Sequence, residues 1–209
     1  MPRAASVVGL PALLLLAGSS VEVLAQQCLG RPTGTGEQAI AARLDLDEIS
    51  ILSGEFSRVG KAVAWSVMAG AAAEELIPPQ DLALALGGGA AWTGLHRALC
   101  PAGAFWTSEH DVLRRTRIRL GAGLGRRLGE EPIHGAAFLF PHVRIVRDDV
   151  DLRGEEVEDT RYEPWIDGGF SLRNERLWGM AVLGLQVGNY SPGEDVIDGS
   201  LRFAAAVAF

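Results

Sequence analysis

The sequence predicts an all-β fold, a transmembrane antiparallel up-and-down barrel of ten strands, with eight strands as the alternative. Three observations predict it. The chain is 48% hydrophobic and its mean hydropathy is positive, yet past its first 25 residues no stretch stays apolar for the roughly 18 residues that a spanning helix needs. From residue 36 onward, apolar residues recur at every second position in segments of about ten, the length of a tilted membrane strand. The 26 glycines weaken helix interiors and suit a pattern of period two.

Residues 1–25 read as a signal peptide. Arg3 gives a basic start, Val7 to Ala17 an apolar core broken by Gly9 and Pro11, and Val23-Leu24-Ala25 a small-residue cleavage site. The expected divisions are this signal, a periplasmic N-terminal segment over 26–36, and the barrel over 37–209. Export to an oxidising compartment makes a disulfide the expected state of Cys28 and Cys100, the chain's two cysteines. Two cysteines and scattered histidines do not make a metal site, and Gln26-Gln27 before Cys28 lacks the small residue of a lipoprotein signal.

Taken in order, Ala62 to Ala72 places Val63, Trp65, Val67, Ala69 and Ala71 on one face, and Asp81 to Trp92 does so with Leu82, Leu84, Leu86, Ala90 and Trp92. In Arg114 to Gly125, Ile118, Leu120, Ala122 and Leu124 alternate with Arg115, Arg117, Arg119 and three glycines. Gly135 to Val146 sets Ala137, Leu139, Val143 and Ile145 against Phe138, Phe140, His142 and Arg144, with a bulge expected at Pro141 because proline removes a ladder donor. Tyr162 to Leu172 sets Tyr162, Ile166, Phe170 and Leu172 against Glu163, Trp165, Asp167, Gly169 and Ser171. Trp178 to Gly188 and Ser200 to Phe209 complete the series, the last with Leu201, Phe203, Ala205, Val207 and Phe209 on its apolar side.

The count turns on Ile49 to Phe56 and Cys100 to Thr107. As loops they leave eight strands; as strands they make ten, and both numbers are even, as two termini on one side require. A disulfide needs its Cα atoms within about 7 Å. Ten strands put Cys28 and Cys100 on the same side and eight put Cys100 in an outer loop, so ten is favoured. Charge agrees: the outer connections of the ten-strand reading, above all Arg147 to Arg161, are acidic, while the inner ones, including Arg126 to His134, are mildly basic.

On these segments and on the terminal strand, the chain resembles the small outer-membrane β-barrel proteins, the opacity-protein-like and porin-like group, from about residue 36 to 209. The resemblance implies an outer-membrane location and contact with outer-membrane lipid. It also implies recognition by the outer-membrane assembly machinery through Phe209 and the apolar residues Val207, Phe203 and Leu201 behind it. The family is functionally diverse, so fold and location transfer while activity does not.

Arg115, Arg117 and Arg119 are expected to face the lumen with His142, Arg144, Glu163 and Asp167 as a charge network that braces the barrel, because unpaired burial costs several kcal/mol per ion. The functional counterpart is an anion-preferring pore. Trp65, Trp92, Trp178, Tyr162, Phe170 and Phe203 are read as girdle aromatics at the membrane surfaces. Ser108, Glu109, His110 and Asp111 hold nucleophile, base and acid together, but neighbours on a strand point to opposite faces, so catalysis is not expected. Gly121 to Gly125 ends a strand without opening a helix, which rules out a nucleotide loop. Asp148, Asp149 and Asp151, or Glu155 and Glu156, could ligate calcium, but a solvated charge run is the preferred reading, so neither metal nor cofactor is expected.

A net charge of -7 argues against a nucleic-acid partner. The expected protein is a monomeric envelope-structural barrel or narrow pore. An outer-leaflet lipid-modifying barrel enzyme and a soluble secreted barrel binding a small apolar ligand are the alternatives.

Overall fold

Residues 36–47, 49–74, 82–92, 99–109, 113–130, 133–152, 155–187 and 198–209 are described by the computed structural model. They form ten strands: β1 (Gln38–Leu46), β2 (Ile49–Val59), β3 (Val63–Glu74), β4 (Ala83–Trp92), β5 (Leu99–Glu109), β6 (Leu113–Glu130), β7 (Ile133–Leu152), β8 (Glu155–Asn174), β9 (Leu177–Gln186) and β10 (Gly199–Ala208). Each pairs antiparallel with the next, and β10 closes on β1. Closure is completed by the backbone of Gln38, whose N–H donates to Phe209 O at 3.1 Å while Phe209 N–H donates to Gln38 O at 2.9 Å. A closed ring leaves no strand edge with unsatisfied backbone groups, the condition a sheet must meet in hydrocarbon.

Both disputed segments, Ile49 to Phe56 and Cys100 to Thr107, are strand, so the count is ten. Extending each register in turn round the ring returns to β1 displaced by about 12 residues, which for ten strands means a tilt of about 40°. At that tilt an apolar band of about 25 Å takes about ten residues per strand. The 9 residues of β1 and the 12 of β3 bracket that length.

Alternation decides which side chain meets which medium. Every strand turns at least one large apolar residue outward: Ile40, Leu52, Val67, Leu84, Phe105, Leu120, Leu139, Phe170, Leu183 and Phe203 are all exposed on the outside of the ring. Their neighbours at odd offsets face inward, where many are buried and others half-buried. The inner wall is divided: Ile49, Ile51, Ala72, Ala83, Ala85 and Trp106 form an apolar cluster on the β2–β5 side, while β6, β7 and β8 contribute charge.

Three expectations are corrected. The strand does not bulge at Pro141: the ladder with β6 skips two positions between Gly121↔His142 and Leu124↔Leu139 and resumes in the same register. The proline lies outward and exposed, and the glycines of β6 keep the two backbones close; a Cβ on Gly121 would lie 2.6 Å from His142 Cβ. The connection expected over Arg147 to Arg161 is mostly strand, since β7 and β8 pair from Ile133↔Asn174 out to Leu152↔Glu155. Arg126 to His134 is likewise mostly strand, with Gly129 at φ 76 near the turn, a conformation glycine adopts without a Cβ clash. Residues 1–25, read as a signal peptide, Cys28 and most of the segment 26–36 lie outside the described residues.

Candidate functional site

The inward face of β6, β7 and β8 carries the residues the alternation pointed to, and their burial follows from strand phase. Arg115, Arg117, Arg119, His142, Arg144, Glu163 and Asp167 all face the lumen and are all buried. Ion pairs join all of them but Arg119 in tiers. In the outermost tier, Arg115 donates from Nη2 to Asp148 Oδ2 at 2.8 Å and from Nε to Oδ1, and Arg161 Nη2 reaches the same Oδ2 at 3.2 Å.

Below this, Asp47, just past the end of β1, places Oδ2 2.9 Å from Arg117 Nη1 and 2.9 Å from Arg144 Nη1. Tryptophans floor the two guanidinium groups: Arg117 lies over the Trp106 ring at 5.0 Å and Arg144 over the Trp165 ring at 3.7 Å. Such cation–π contacts strengthen where water is excluded. Trp165 Nε1 donates in turn to Glu163 Oε2 at 3.1 Å, and the same carboxylate oxygen lies 3.8 Å from Arg144 Nη1.

The third tier spans the ring. Arg43 of β1 donates from Nε to Asp45 Oδ2 at 3.0 Å and from Nη1 to Glu55 Oε2 at 3.4 Å. Arg202 of β10 binds Asp167 and lies 3.9 Å from Asp45. His142 Nδ1 is 3.0 Å from the carbonyl oxygen of Phe140; a carbonyl only accepts, so Nδ1 carries a proton. Its ring stacks on Phe140 with centroids 4.9 Å apart. Arg119, across the ladder from Ala104, projects into a cavity of about 120 Å³ at this tier.

The sequence reading names residues of one wall and none of the opposite one. Arg43, Asp45, Asp47 and Glu55 come from β1, its following turn and β2, and they supply the acids nearest Arg117 and Arg144 as well as a second basic group. Their signal was present as alternation: Arg43 and Asp45 share a face opposite Ile40, Ala42 and Leu44. Asp148, read as part of a solvated run, is instead turned inward to Arg115, while Asp149 is turned outward to Arg147 Nε at 2.9 Å. Asp148 and Asp149, both proposed for calcium, therefore lie on opposite faces. Among the described residues no group of three or more His, Cys, Asp or Glu side chains is disposed to hold a metal ion. Arg147, beyond the apolar band, is held above its ordinary pKa by its hydrogen bond to Asp149 and by the charges of Asp149 and Glu158.

Of the girdle residues, Trp65, Trp92, Tyr162, Phe170 and Phe203 do face outward, and Trp65 packs on Phe56 with ring centroids 5.6 Å apart. Trp178 does not. It is turned into the lumen among Ala41, Ala206 and Met180, because β9 takes its phase from Leu183 and Leu185 and leaves Trp178 on the opposite side. Ser108 faces inward and is buried while Glu109 faces outward and pairs with Arg114 at 2.9 Å; His110 and Asp111 lie outside the described residues. Cys100 is fully buried at the start of β5, and no free cysteine is found among the described residues. Leu201, Phe203, Val207 and Phe209 share the outward face of the last strand and the residue after it.

No family model matches the chain, and neither does any curated protein. Among solved structures, the N-terminal β-barrel domain of Pseudomonas aeruginosa OprF is similar over 85% of this chain and 100% of that one, at 10% identity and a TM-score of 0.43. Neisserial surface protein A is similar over 83% of this chain and 96% of its own, at 14% identity and a TM-score of 0.41. At these values the resemblance is one of general architecture.

Proposed function

We propose that this protein is an exported, monomeric outer-membrane barrel with a structural role in the cell envelope, its lumen closed by the ion-pair tiers. The observation that carries the reading is the opposition of the two faces. Every strand presents large apolar side chains outward, more than a water-soluble monomer leaves uncovered, and the inward face holds buried charges matched to one another. In hydrocarbon the first arrangement is stable, and inside a narrow barrel the second one is.

On this reading residues 1–25 direct export, Cys28 and Cys100 form a disulfide on the periplasmic side, and Phe209, Val207, Phe203 and Leu201 are read by the assembly machinery. Outer-membrane lipid is the surrounding partner, no nucleic acid or cofactor is involved, and no catalysis is expected, since Ser108 and Glu109 diverge across the wall. The outer extension of β7 and β8 stands beyond the membrane with Arg147, Asp149 and Glu158 on its outward side.

The test combines location with conductance. Fractionation places the chain in the outer membrane with heat-modifiable gel migration, and reconstitution in planar bilayers gives no steady current. Recovery as a soluble periplasmic protein overturns the location; a steady current overturns closure. That current is the outcome expected of a second reading, an anion-preferring narrow pore, favoured by the cavity that Arg43, Arg119 and Arg202 line at the third tier.

A further inference from the structure

The acids of the third tier are divided between two arginines and leave the third aside. Arg43 takes Asp45 and Glu55, and Arg202 takes Asp167 and approaches Asp45. Arg119, on the same level and 7% exposed, makes no ion pair with any described carboxylate, and its Nε has no hydrogen-bond partner among the described residues. Asp45 and Asp167 lie near enough to act on its charge but make no direct contact with it, so its planar fork of donors, which matches a carboxylate in two parallel hydrogen bonds, has no described carboxylate in that position.

The space this fork faces has a definite chemistry. The cavity of about 120 Å³ is walled on one side by Phe138, Phe140, Trp178 and Met180, and on the other by the small residues Ala102 and Ala104. Ala104 is the cross-strand neighbour of Arg119, so nothing bulky stands beneath the guanidinium. Glu55 and Asp167 also border the cavity; Glu55 is held by Arg43, and Asp167 by Arg202 through Oδ2, with no hydrogen-bond partner for its Oδ1 among the described residues. A dry apolar cavity of about 150 Å³ accommodates benzene, so the space is close to that of a single ring or a short branched chain.

We propose that this lumenal cavity binds a small monocarboxylate with an apolar tail, its carboxylate paired with Arg119 and its tail on the Phe138, Phe140, Trp178 and Met180 wall. The inference rests on the shape of the lumen and is independent of whether the barrel conducts or where it resides. Binding is reversible and involves no covalent step.

The experiment uses the mature chain folded in a zwitterionic detergent, with heat-modifiable migration as the check on folding, and three probes of equal size: 4-fluorobenzoate, 4-fluorobenzyl alcohol and 4-fluorobenzylamine. Fluorine NMR titration should show saturable binding of the benzoate and at least about tenfold weaker binding of the other two, the loss expected of a charge-assisted pair. Arg119→Gln should weaken benzoate by about tenfold or more, and Arg119→Lys by less. Ala104→Leu, which fills the space under the fork and leaves the charges in place, should abolish binding in a barrel that still migrates as folded. Alcohol and benzoate binding alike, benzoate binding that survives both Arg119→Gln and Ala104→Leu, or no saturable binding at millimolar concentration each overturn the proposal.

Discussion

Arg117 and Asp47, 70 residues apart in sequence, meet across the lumen at 2.9 Å, and the same carboxylate oxygen of Asp47 also lies 2.9 Å from Arg144. One acid just past the end of β1 therefore ties the first strand to β6 and β7, on the far wall of the ring. All three side chains are buried, so the contact is shielded from the solvent that makes surface pairs weak.

Removing that acid should leave two buried arginines short of a counter-charge. Asp47→Ala is expected to destabilise the folded barrel by about 3 kcal/mol, read as a lower urea midpoint for heat-modifiable migration, and to raise conductance in planar bilayers. Arg147→Ala, which removes ion pairs on the exposed outer side of β7, should leave the midpoint unchanged. Equal effects from the two would mean that the lumenal tiers do not brace the barrel.

Backbone approach at the β6–β7 seam makes a second test. A Cβ on Gly121 would come within 2.6 Å of His142 Cβ and 2.8 Å of its Cα, contacts that backbone cannot easily yield. Gly121→Ala should therefore cost about 1–3 kcal/mol in the same unfolding assay. Gly54 is the control: the nearest atom to its added Cβ is Ala69 O at 4.0 Å, so Gly54→Ala should be neutral or stabilise by about 0.5 kcal/mol.

Cysteine chemistry makes a third. Cys28→Ser and Cys100→Ser should each abolish one and the same mobility shift between reducing and non-reducing gels of the mature chain. A shift that survives either substitution, or one that reports a dimer, would remove the pairing from the account of the N-terminal segment.

Much of this architecture is legible in the sequence because a barrel wall with unlike surroundings on its two faces obeys a rule of period two, and that rule points to the lumenal side of Arg115, Arg117 and Arg119 without any knowledge of their partners. Three things escape it. Asp47 follows the end of β1, where alternation gives no phase, so its reach to Arg117 depends on ring closure and not on local pattern. Acidic runs look solvated in one dimension, and only the extended pairing of β7 with β8 shows that Asp148 turns inward while Asp149 turns outward. Trp178 lies near a strand end, where an aromatic suits a girdle, and composition outweighed the phase that places it with Met180 and Val182 inside.

The assignment of lipid to one face and lumen to the other is tested most directly by the chain's five tryptophans. Trp65 and Trp92 are 40% and 52% exposed on the outer wall, whereas Trp106, Trp165 and Trp178 are 6%, 3% and 6% exposed within the lumen. In single-tryptophan variants folded into bilayers of brominated phosphatidylcholine, Trp65 and Trp92 should be strongly quenched and the other three only weakly. Strong quenching of Trp165 and Trp106 with Trp65 and Trp92 spared, or a mature chain that folds as a monomer in plain buffer and ignores the bilayers, would contradict it.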